Sequence, residues 1–251
     1  AILKWARGTA GGRIVLHNVV ADVDRPTKPK GRKRVLSDNE LASIWSAAAT
    51  LEPVWEAFFR LAILTGKRRS EICRMAWPEL RRDTGEWLIP GERTKNGVDD
   101  LLSLPSSATD ILDKLAVANL AQDQVGDEIK WPTCGFVLTA SGNVPIGAHS
   151  KAKKCLDAAI AELRGGVPLE HWVVHDLRRT FATGLQRLGT RMEVTEAALN
   201  HTGVSRAGVA GIYQRYDWAT EKRDALKNWA QHVAMITEGP HVTNVVALRP
   251  R

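Results

Sequence analysis

Cations, two histidines and a late tyrosine are the side chains of this chain that could do chemistry together. They lie in the segments Thr65-Gly66-Lys67-Arg68-Arg69-Ser70-Glu71, Thr94-Lys95-Asn96-Gly97, His175-Asp176-Leu177-Arg178-Arg179-Thr180, Leu199-Asn200-His201 and Tyr213-Gln214-Arg215. A phosphodiester repels an attacking oxyanion unless fixed cations neutralise it, and arginine presents donors in a planar fork that matches phosphate oxygens. Histidine can donate to the phosphate and move protons near neutral pH. The set is therefore suited to breaking a phosphodiester without a metal ion.

A tyrosine and a lysine would complete such a reaction. A tyrosine that attacks phosphorus conserves the bond energy as a phosphotyrosine, so the strand can be rejoined without ATP. The leaving 5′-oxygen needs a proton, which a mobile lysine can supply. The chain has two tyrosines, Tyr213 and Tyr216, and their offset places them on nearly the same face of a helix. The pattern leaves both as candidate nucleophiles.

The composition favours a globular protein with a polyanionic partner. Hydrophobic residues make up 44% of the 251 residues, and the formal net charge of +7 favours DNA or RNA without requiring either. Cys73, Cys134 and Cys155 fit neither a disulfide framework nor a paired zinc motif, so we expect a cytoplasmic protein. The most apolar stretch, residues 58–64, contains Arg60 and is too short to span a bilayer. The chain opens without a signal peptide and in mid-helix, so we expect a fragment of a longer protein.

Capping and turn signals predict the elements that position the candidate residues. A capping box at Ser37 and Glu40 begins one helix, and a second runs from Pro53 to Thr65 with Gly66 as its left-handed cap. Strands are predicted at 87–89 and 101–104, joined through a hairpin turn at 95–97. Further helices are predicted at 69–75, 107–120, 149–163, 175–188, 194–199, 205–216 and 218–237. The sequence therefore predicts an α+β fold, mostly α-helical, with a small antiparallel sheet.

A basic segment precedes this domain. Residues 25–34 consist almost entirely of Pro, Lys, Arg and Gly, which is typical of a solvated linker. A basic linker that lies next to DNA would also contact phosphates. The candidate DNA contacts are Lys30, Arg32, Lys33 and Arg34.

In this order and at this spacing, the motifs resemble those of the tyrosine recombinase (phage integrase) family over roughly residues 34–231. Any one of them alone would be a weak signal. The resemblance selects Arg68 as the first catalytic arginine, and the family's His-x-x-Arg spacing selects Arg178 rather than Arg179. The Tyr-x-Arg match favours Tyr213 over Tyr216.

The remaining motifs fit this resemblance with one departure. Lys95 matches the family's lysine hairpin, and Glu71 is expected to be a structural partner, to an arginine for example. Asn200 stands before His201 where family members often have Gly, which is a departure in the local turn. His171 and His175 have a spacing that could ligate a metal on a helix, but the helix is predicted to begin only near His175. No metal site is predicted.

The resemblance implies a fold, a domain division and an activity. Residues 35–238 would form a tyrosine-recombinase catalytic domain, preceded at 1–34 by the end of a core-binding domain and the basic linker, and followed by a tail at 239–251. The implied activity is site-specific DNA recombination through a 3′-phosphotyrosyl intermediate, which integrates or excises a mobile element such as a prophage. The implied roles are nucleophile for Tyr213, stabilisation of the pentavalent state for Arg68, Arg178 and His201, proton transfer for His175, and protonation of the 5′-oxygen for Lys95.

The implied partners are double-stranded DNA attachment sites, with accessory DNA-bending or excision factors. The working form would be a homotetramer on DNA in the bacterial cytoplasm, on the nucleoid, with the C-terminal helix near Trp229 docked on a neighbouring subunit. No cofactor and no membrane contact are expected. Two alternatives use the same fold: a type IB topoisomerase-like DNA-relaxing enzyme, and a catalytically idle DNA-binding regulator.

Overall fold

Helices make up most of the structure in the computed structural model, which describes residues 32–119, 129–201 and 217–238. The helices in these residues are α1 (Asp38–Ala48), α2 (Pro53–Thr65), α3 (Arg69–Cys73), α4 (Ser106–Asn119), α5 (His149–Leu163), α6 (Val174–Arg187), α7 (Met192–Ala198) and α8 (Ala219–Glu238). The strands are β1 (Leu80–Arg81), β2 (Glu86–Ile89) and β3 (Asp100–Ser103), and 3-10 turns occupy Trp77–Glu79 and Gly91–Arg93. The described residues from Arg34 onward belong to one compact unit.

The sheet is a small antiparallel meander with one face on the core. Its order is β1-β2-β3, with Trp87 opposite Leu102 and Ile89 opposite Asp100. Trp87, Ile89 and Leu102 are fully buried, whereas Leu88 on the other face is 41% exposed. Side chains alternate between the faces of a strand, so Asp100 is carried inward beside Leu102. The sheet thereby delivers a carboxylate to the interior.

Helix α2 runs through the core and ends at the segment that carries Arg68. Pro53 occupies its first turn, where a missing N–H costs nothing, and Gly66 ends it in the left-handed region at φ 59°. A Cβ on Gly66 would lie 2.3 Å from the ring of Phe181. The turn between α2 and α3 therefore packs directly on α6, which carries His175 and Arg178.

Helix α8 fixes the other side of α6. A Cβ on Gly184 would lie 2.1 Å from the ring of Trp229, and the Trp229 indole donates to the carbonyl of Ile63 at 2.8 Å. Trp229 is 1% exposed, so it is buried in its own chain. Docking of this helix on a neighbouring subunit stays a prediction, and the face that carries Trp229 is not available for it.

The structure confirms the predicted α+β class with mostly helical content and a small antiparallel sheet, and β2 and β3 lie within one residue of the strands predicted at 87–89 and 101–104. Strand β2 ends at Ile89 before Pro90, which cannot donate to the ladder, and β3 begins only at Asp100. Residues 95–97 therefore lie within the connection from Pro90 to Asp99, which also contains the 3-10 turn Gly91–Arg93. The predicted helix at 205–216, with Tyr213 and Tyr216, lies outside the described residues, as does Lys30. The division at residue 34 and the tail from 239 stay predictions.

Cys73, Cys134 and Cys155 are free cysteines, of which only Cys73 is buried. Within the described residues, no helix has the length and apolar character needed to cross a membrane.

Candidate active site

Three elements bring four of the predicted site residues to one place. The turn after α2 carries Arg68, the first two turns of α6 carry His175 and Arg178, and the residue after the left-handed cap of α7 is His201. The charges of Arg68 and Arg178 both act on each of the two histidines. The cluster therefore consists of two guanidinium groups and two imidazoles, all of which can donate hydrogen bonds to an anion.

Arg178 lies beneath the cleft and is held by backbone carbonyls. The residue is 4% exposed; one terminal nitrogen donates to Gly66 O at 2.8 Å and the other to Leu199 O at 2.6 Å. Burial lowers its pKa to about 10, and the charge of Arg68 adds to this effect, so the group stays protonated at neutral pH. A guanidinium has five N–H donors, so two bonds to carbonyls leave three for a ligand.

Lys67 is a second buried cation beside Arg178. Its ammonium donates to Asp100 Oδ2 at 2.5 Å and to Ala198 O at 2.8 Å, and the side chain is fully buried. Desolvation lowers the pKa of Lys67, and the adjacent Asp100 carboxylate opposes that shift. This ion pair joins the α2–α3 turn to β3 and to the end of α7. We call Lys67 and Arg178 the floor of the site.

Arg68 is more exposed and is held by a carboxylate. Its side chain is 21% exposed, and one terminal nitrogen donates to Glu71 Oε1 at 2.7 Å. The other oxygen of Glu71 accepts the Arg68 backbone N–H at 2.8 Å, and Glu71 is 2% exposed. Glu71 thus caps the start of α3 and orients Arg68, which is the structural role expected for it.

The start of α6 positions His175. Asp176 is fully buried and accepts the N–H of Val173 at 2.9 Å, which caps the helix, and its other oxygen accepts from Arg179. His175 is exposed on the first turn, and Arg178 lies one turn further on, directed inward. Helical periodicity alone does not distinguish the environments of Arg178 and Arg179. In the structure Arg178 is buried and donates to two backbone carbonyls, whereas Arg179 is more exposed and pairs with Asp176.

His201 follows a Schellman cap at the end of α7. The N–H of His201 donates to Glu196 O at 2.9 Å and that of Asn200 to Ala197 O at 3.0 Å, with Asn200 in the left-handed region at φ 48°. The ring Nδ1 lies 3.1 Å from Glu196 Oε2. Asn200 therefore meets the same backbone requirement that Gly would meet, which accounts for the departure noted in the sequence.

Both histidines favour their neutral form. Desolvation lowers the pKa of His175, and Arg179, Arg178 and Arg68 add to the shift while Asp176 opposes it. Desolvation also lowers the pKa of His201, with Arg178 and Arg68 adding and Glu196 opposing. A bound phosphate would offset the arginine charges and so favour protonation of both rings.

An open cleft of about 660 Å³ runs beside the cluster. Its lining includes the floor residues, Arg68, His175, and a rim of cations that we define as Arg69 and Lys154. Lys153 also lines it, but its ammonium is bound by Asp157 at 2.6 Å and lies 3.8 Å from the Trp172 ring centroid. The cleft therefore presents the positive charge of Arg69 and Lys154 beside Arg68 and Arg178, which suits an anionic backbone.

Lys95 is exposed on the connection between β2 and β3 and is not part of the cleft lining. The next residue, Asn96, donates to the Asn200 side chain at 2.9 Å, so the connection reaches the turn that carries His201. In the basic segment, Arg34 pairs with Glu40 and lies 3.7 Å from Glu170, while Lys33 is exposed. DNA contacts by Lys30, Arg32, Lys33 and Arg34 stay predictions.

Sequence reasoning missed Lys67, Asp100 and the Asn96–Asn200 contact. A lysine between Gly66 and Arg68 gives no signal of burial, and Asp100 at the start of a strand looks like a polar end residue. Among the described residues, no group of three or more His, Cys, Asp or Glu side chains could hold a metal ion.

The comparison with protein families decides the affiliation. The sequence model of the family described as "Phage integrase family" matches residues 34–216. The chain belongs to the phage integrase family. No curated protein matches the chain.

Solved structures of phage integrases and recombinases share the fold. The integrase from mycobacterium phage Brujita is 16% identical with a TM-score of 0.52, and the match covers 94% of this chain and 73% of that one. A lambda integrase dimer bound to a COC' core site is 20% identical with a TM-score of 0.53, covering 80% and 69%. XerA recombinase is 18% identical with a TM-score of 0.53, covering 92% and 74%. At these identities the likeness shows the tyrosine recombinase catalytic fold.

Proposed function

We propose that this chain is the catalytic part of a site-specific DNA recombinase that cleaves and rejoins strands through a 3′-phosphotyrosyl intermediate. The observation that carries the proposal is the convergence of Arg68, His175, Arg178 and His201, from three separate elements, beside one cationic cleft. Family membership and the fold support it. The lambda integrase in the comparison is bound to a DNA core site, which supports DNA as the partner here.

In the proposed reaction Tyr213 Oη attacks the scissile phosphorus while the bond to the 5′-oxygen breaks. His175 assists removal of the tyrosine proton, for which its lowered pKa keeps the ring neutral and able to accept. Arg68, Arg178 and His201 bind the non-bridging oxygens, where negative charge grows in the pentavalent state. Lys95 donates a proton to the leaving 5′-oxygen. Attack by a 5′-hydroxyl on the phosphotyrosine reverses every step and rejoins the strand.

The floor explains why such a site can be ready before DNA binds. Arg178 is already desolvated and fixed by two carbonyls, so little reorganisation is needed when the phosphate arrives. Arg68 is similarly held by Glu71. Mobile-element integration or excision, a tetrameric working form and accessory factors belong to the same proposal.

Covalent trapping tests the function and supplies the DNA site. The full chain is incubated with a pool of duplexes of randomised core sequence, each nicked so that the fragment released by cleavage diffuses away. We expect denaturation-resistant adducts that enrich a defined sequence, with Tyr213→Phe abolishing the adduct but retaining DNA binding. Tyr216→Phe is the matched control and should retain the adduct.

The outcomes separate the proposal from its rivals. An adduct that survives Tyr213→Phe and vanishes with Tyr216→Phe would reverse the assignment of the nucleophile. Adducts without sequence enrichment, together with plasmid relaxation and no joining of two sites, would identify a topoisomerase. Binding without any adduct from the wild-type chain would identify an idle DNA-binding regulator.

A further inference from the structure

Three consecutive carbonyls at the end of α7 are bound by side chains from three different segments. Ala198 O accepts from Lys67 at 2.8 Å, Leu199 O from Arg178 at 2.6 Å, and Asn200 O from Asn96 at 3.2 Å. The last carbonyls of a helix have no intrahelical partner, so external donors are needed here. Lys67 and Arg178 are buried parts of the floor, whereas Asn96 comes from the partly exposed Lys95 connection.

Asn96 and Asn200 also bind each other through their side-chain amides. Asn96 Nδ2 donates to Asn200 Oδ1 at 2.9 Å, and Asn200 Nδ2 donates to Asn96 Oδ1 and to Val98 O, both at 3.4 Å. Asn200 is 9% exposed, so this contact is largely shielded from water. A residue in the left-handed region is usually Gly, and Asn is the side chain that tolerates this region while adding an amide.

Asn96 and Asn200 are each adjacent in the chain to a proposed catalytic residue. Asn96 immediately follows Lys95, and Asn200 immediately precedes His201, although the two asparagines are 104 residues apart. The connection is braced internally, since Gly91 N–H donates to Asp99 Oδ1 at 2.7 Å and the Thr94 hydroxyl contacts Gly91 O and Val98 O at 2.9 Å. Its base is held by Arg93, which donates to Glu71 O at 2.8 Å. Because the loop is internally rigid and its base is fixed, the position of its tip at Lys95 and Asn96 depends on the contact of the tip with the rest of the protein. That contact is the one between Asn96 and Asn200.

We propose that Asn96 and Asn200 are positioning residues that hold the Lys95 loop against the turn carrying His201, so that the proton donor and the phosphate-binding side chains meet the same phosphodiester. This rests on the proposed function for the role of Lys95. The pair acts through Lys95 and touches no reacting atom. Its bonds are neutral amide contacts at the edge of the fold, so the loop can be released without disturbing the floor.

The proposal predicts a chemical signature that a general loss of structure would not produce. A 5′-bridging phosphorothiolate replaces the leaving oxygen with sulfur, which departs without a proton. General acid catalysis typically contributes about a hundred- to ten-thousandfold, and a misplaced lysine should lose part of this, roughly tenfold or more. Asn96→Ala and Asn200→Gly should therefore cleave the enriched oxygen duplex slowly and the sulfur duplex at nearly the wild-type rate. Lys95→Ala should show the same pattern with a larger loss.

Two controls accompany these variants. Asn200→Gly keeps a residue suited to the left-handed turn, so it removes the amide and not the Schellman cap. Glu92→Gln changes an exposed residue of the same connection and should leave both cleavage rates unchanged. Thermal unfolding of each variant verifies that it is folded.

Hydrogen exchange provides a measurement that does not depend on activity. Backbone amides of residues 94–98 should exchange faster in Asn96→Ala and Asn200→Gly than in the wild-type chain, while those of α2 stay unchanged. Unchanged exchange in both variants, wild-type rates on the oxygen duplex, or equal slowing on oxygen and sulfur would each overturn the proposal. If the wild-type chain forms no adduct, the proposed function fails and the catalytic role of the pair fails with it, whereas the exchange result still reports the contact itself.

Discussion

Lys67 and Arg68 are consecutive in the chain, yet one is fully enclosed and the other is directed into the cleft. The Lys67 side chain is 0% exposed and bound by Asp100 and a carbonyl, whereas the Arg68 side chain is 21% exposed and bound by Glu71. The same split occurs between Arg178, which is buried on two carbonyls, and Arg179, which is 31% exposed beside Asp176. In each of these two pairs of neighbouring residues, the buried cation joins elements of the fold, while the other cation lies nearer the solvent.

The buried cations of the floor and the more exposed cations beside the cleft should therefore contribute differently to stability. A buried cation that loses its partner, or a partner that loses its cation, leaves an uncompensated charge in a poorly solvated place. An exposed cation that is lost can be replaced by water and salt, so its contribution to stability is small. Arg178 combines both features, since it is buried by its carbonyl contacts and yet has donors left for a ligand.

The largest expected effect comes from the floor. Lys67→Met would leave Asp100 buried without its cation and should lower the free energy of unfolding by about 3–5 kcal/mol. The double variant Lys67→Met with Asp100→Leu removes both charges and should recover most of that loss. Urea unfolding measures both. A loss below about 1 kcal/mol for the single variant would show that the pair is not the buried tie described here.

A matched pair of arginine variants tests the comparison directly. Arg178→Lys replaces the two nitrogens that bind Gly66 O and Leu199 O with a single, shorter-reaching ammonium and should lose about 1.5–3 kcal/mol of stability, while Arg68→Lys keeps a cation beside Glu71 and should lose less than about 1 kcal/mol. Both should reduce adduct formation strongly, because neither lysine presents a planar fork to the phosphate. Equal stability of the two variants in urea would remove the distinction between floor and cleft lining.

The smallest effect concerns the two histidines. Both have a pKa below the ordinary value of 6.5, so the unfolded chain binds more protons than the folded chain at mildly acid pH. The contribution of the two histidines to the free energy of unfolding is therefore complete above the ordinary pKa. It is lost as the pH falls through the lowered pKa and does not change further below it. The double variant His175→Gln with His201→Gln should lose less thermal stability than the wild-type chain between about pH 7.5 and pH 5. An identical loss in both proteins would contradict the assigned protonation states.

Several parts of the fold were predictable because their signals are local. The Ser37–Glu40 capping box, Pro53 at a helix start and Gly66 at a helix end each reflect the backbone of a few neighbouring residues, and each lies where it was predicted. The two strands that flank the Asn96-Gly97 turn signal were also predicted to within one residue of β2 and β3. The two-residue strand β1 was not predicted, because its pairing with β2 leaves no local signal in the sequence.

The amino-acid sequence by itself determined the family, the mostly helical α+β class and the order of Arg68, Lys95, His175, Arg178 and His201, because motif order and helix periodicity are properties of the chain read along its length. The tertiary structure decided that Lys67 and Arg178 are the more buried cations of their neighbouring pairs, and that Asn96 contacts Asn200. Those outcomes depend on partners such as Asp100 and Leu199, which approach only when β3 and α7 pack against the turn after α2. Burial and pairing across such separations follow from packing, which no local pattern encodes.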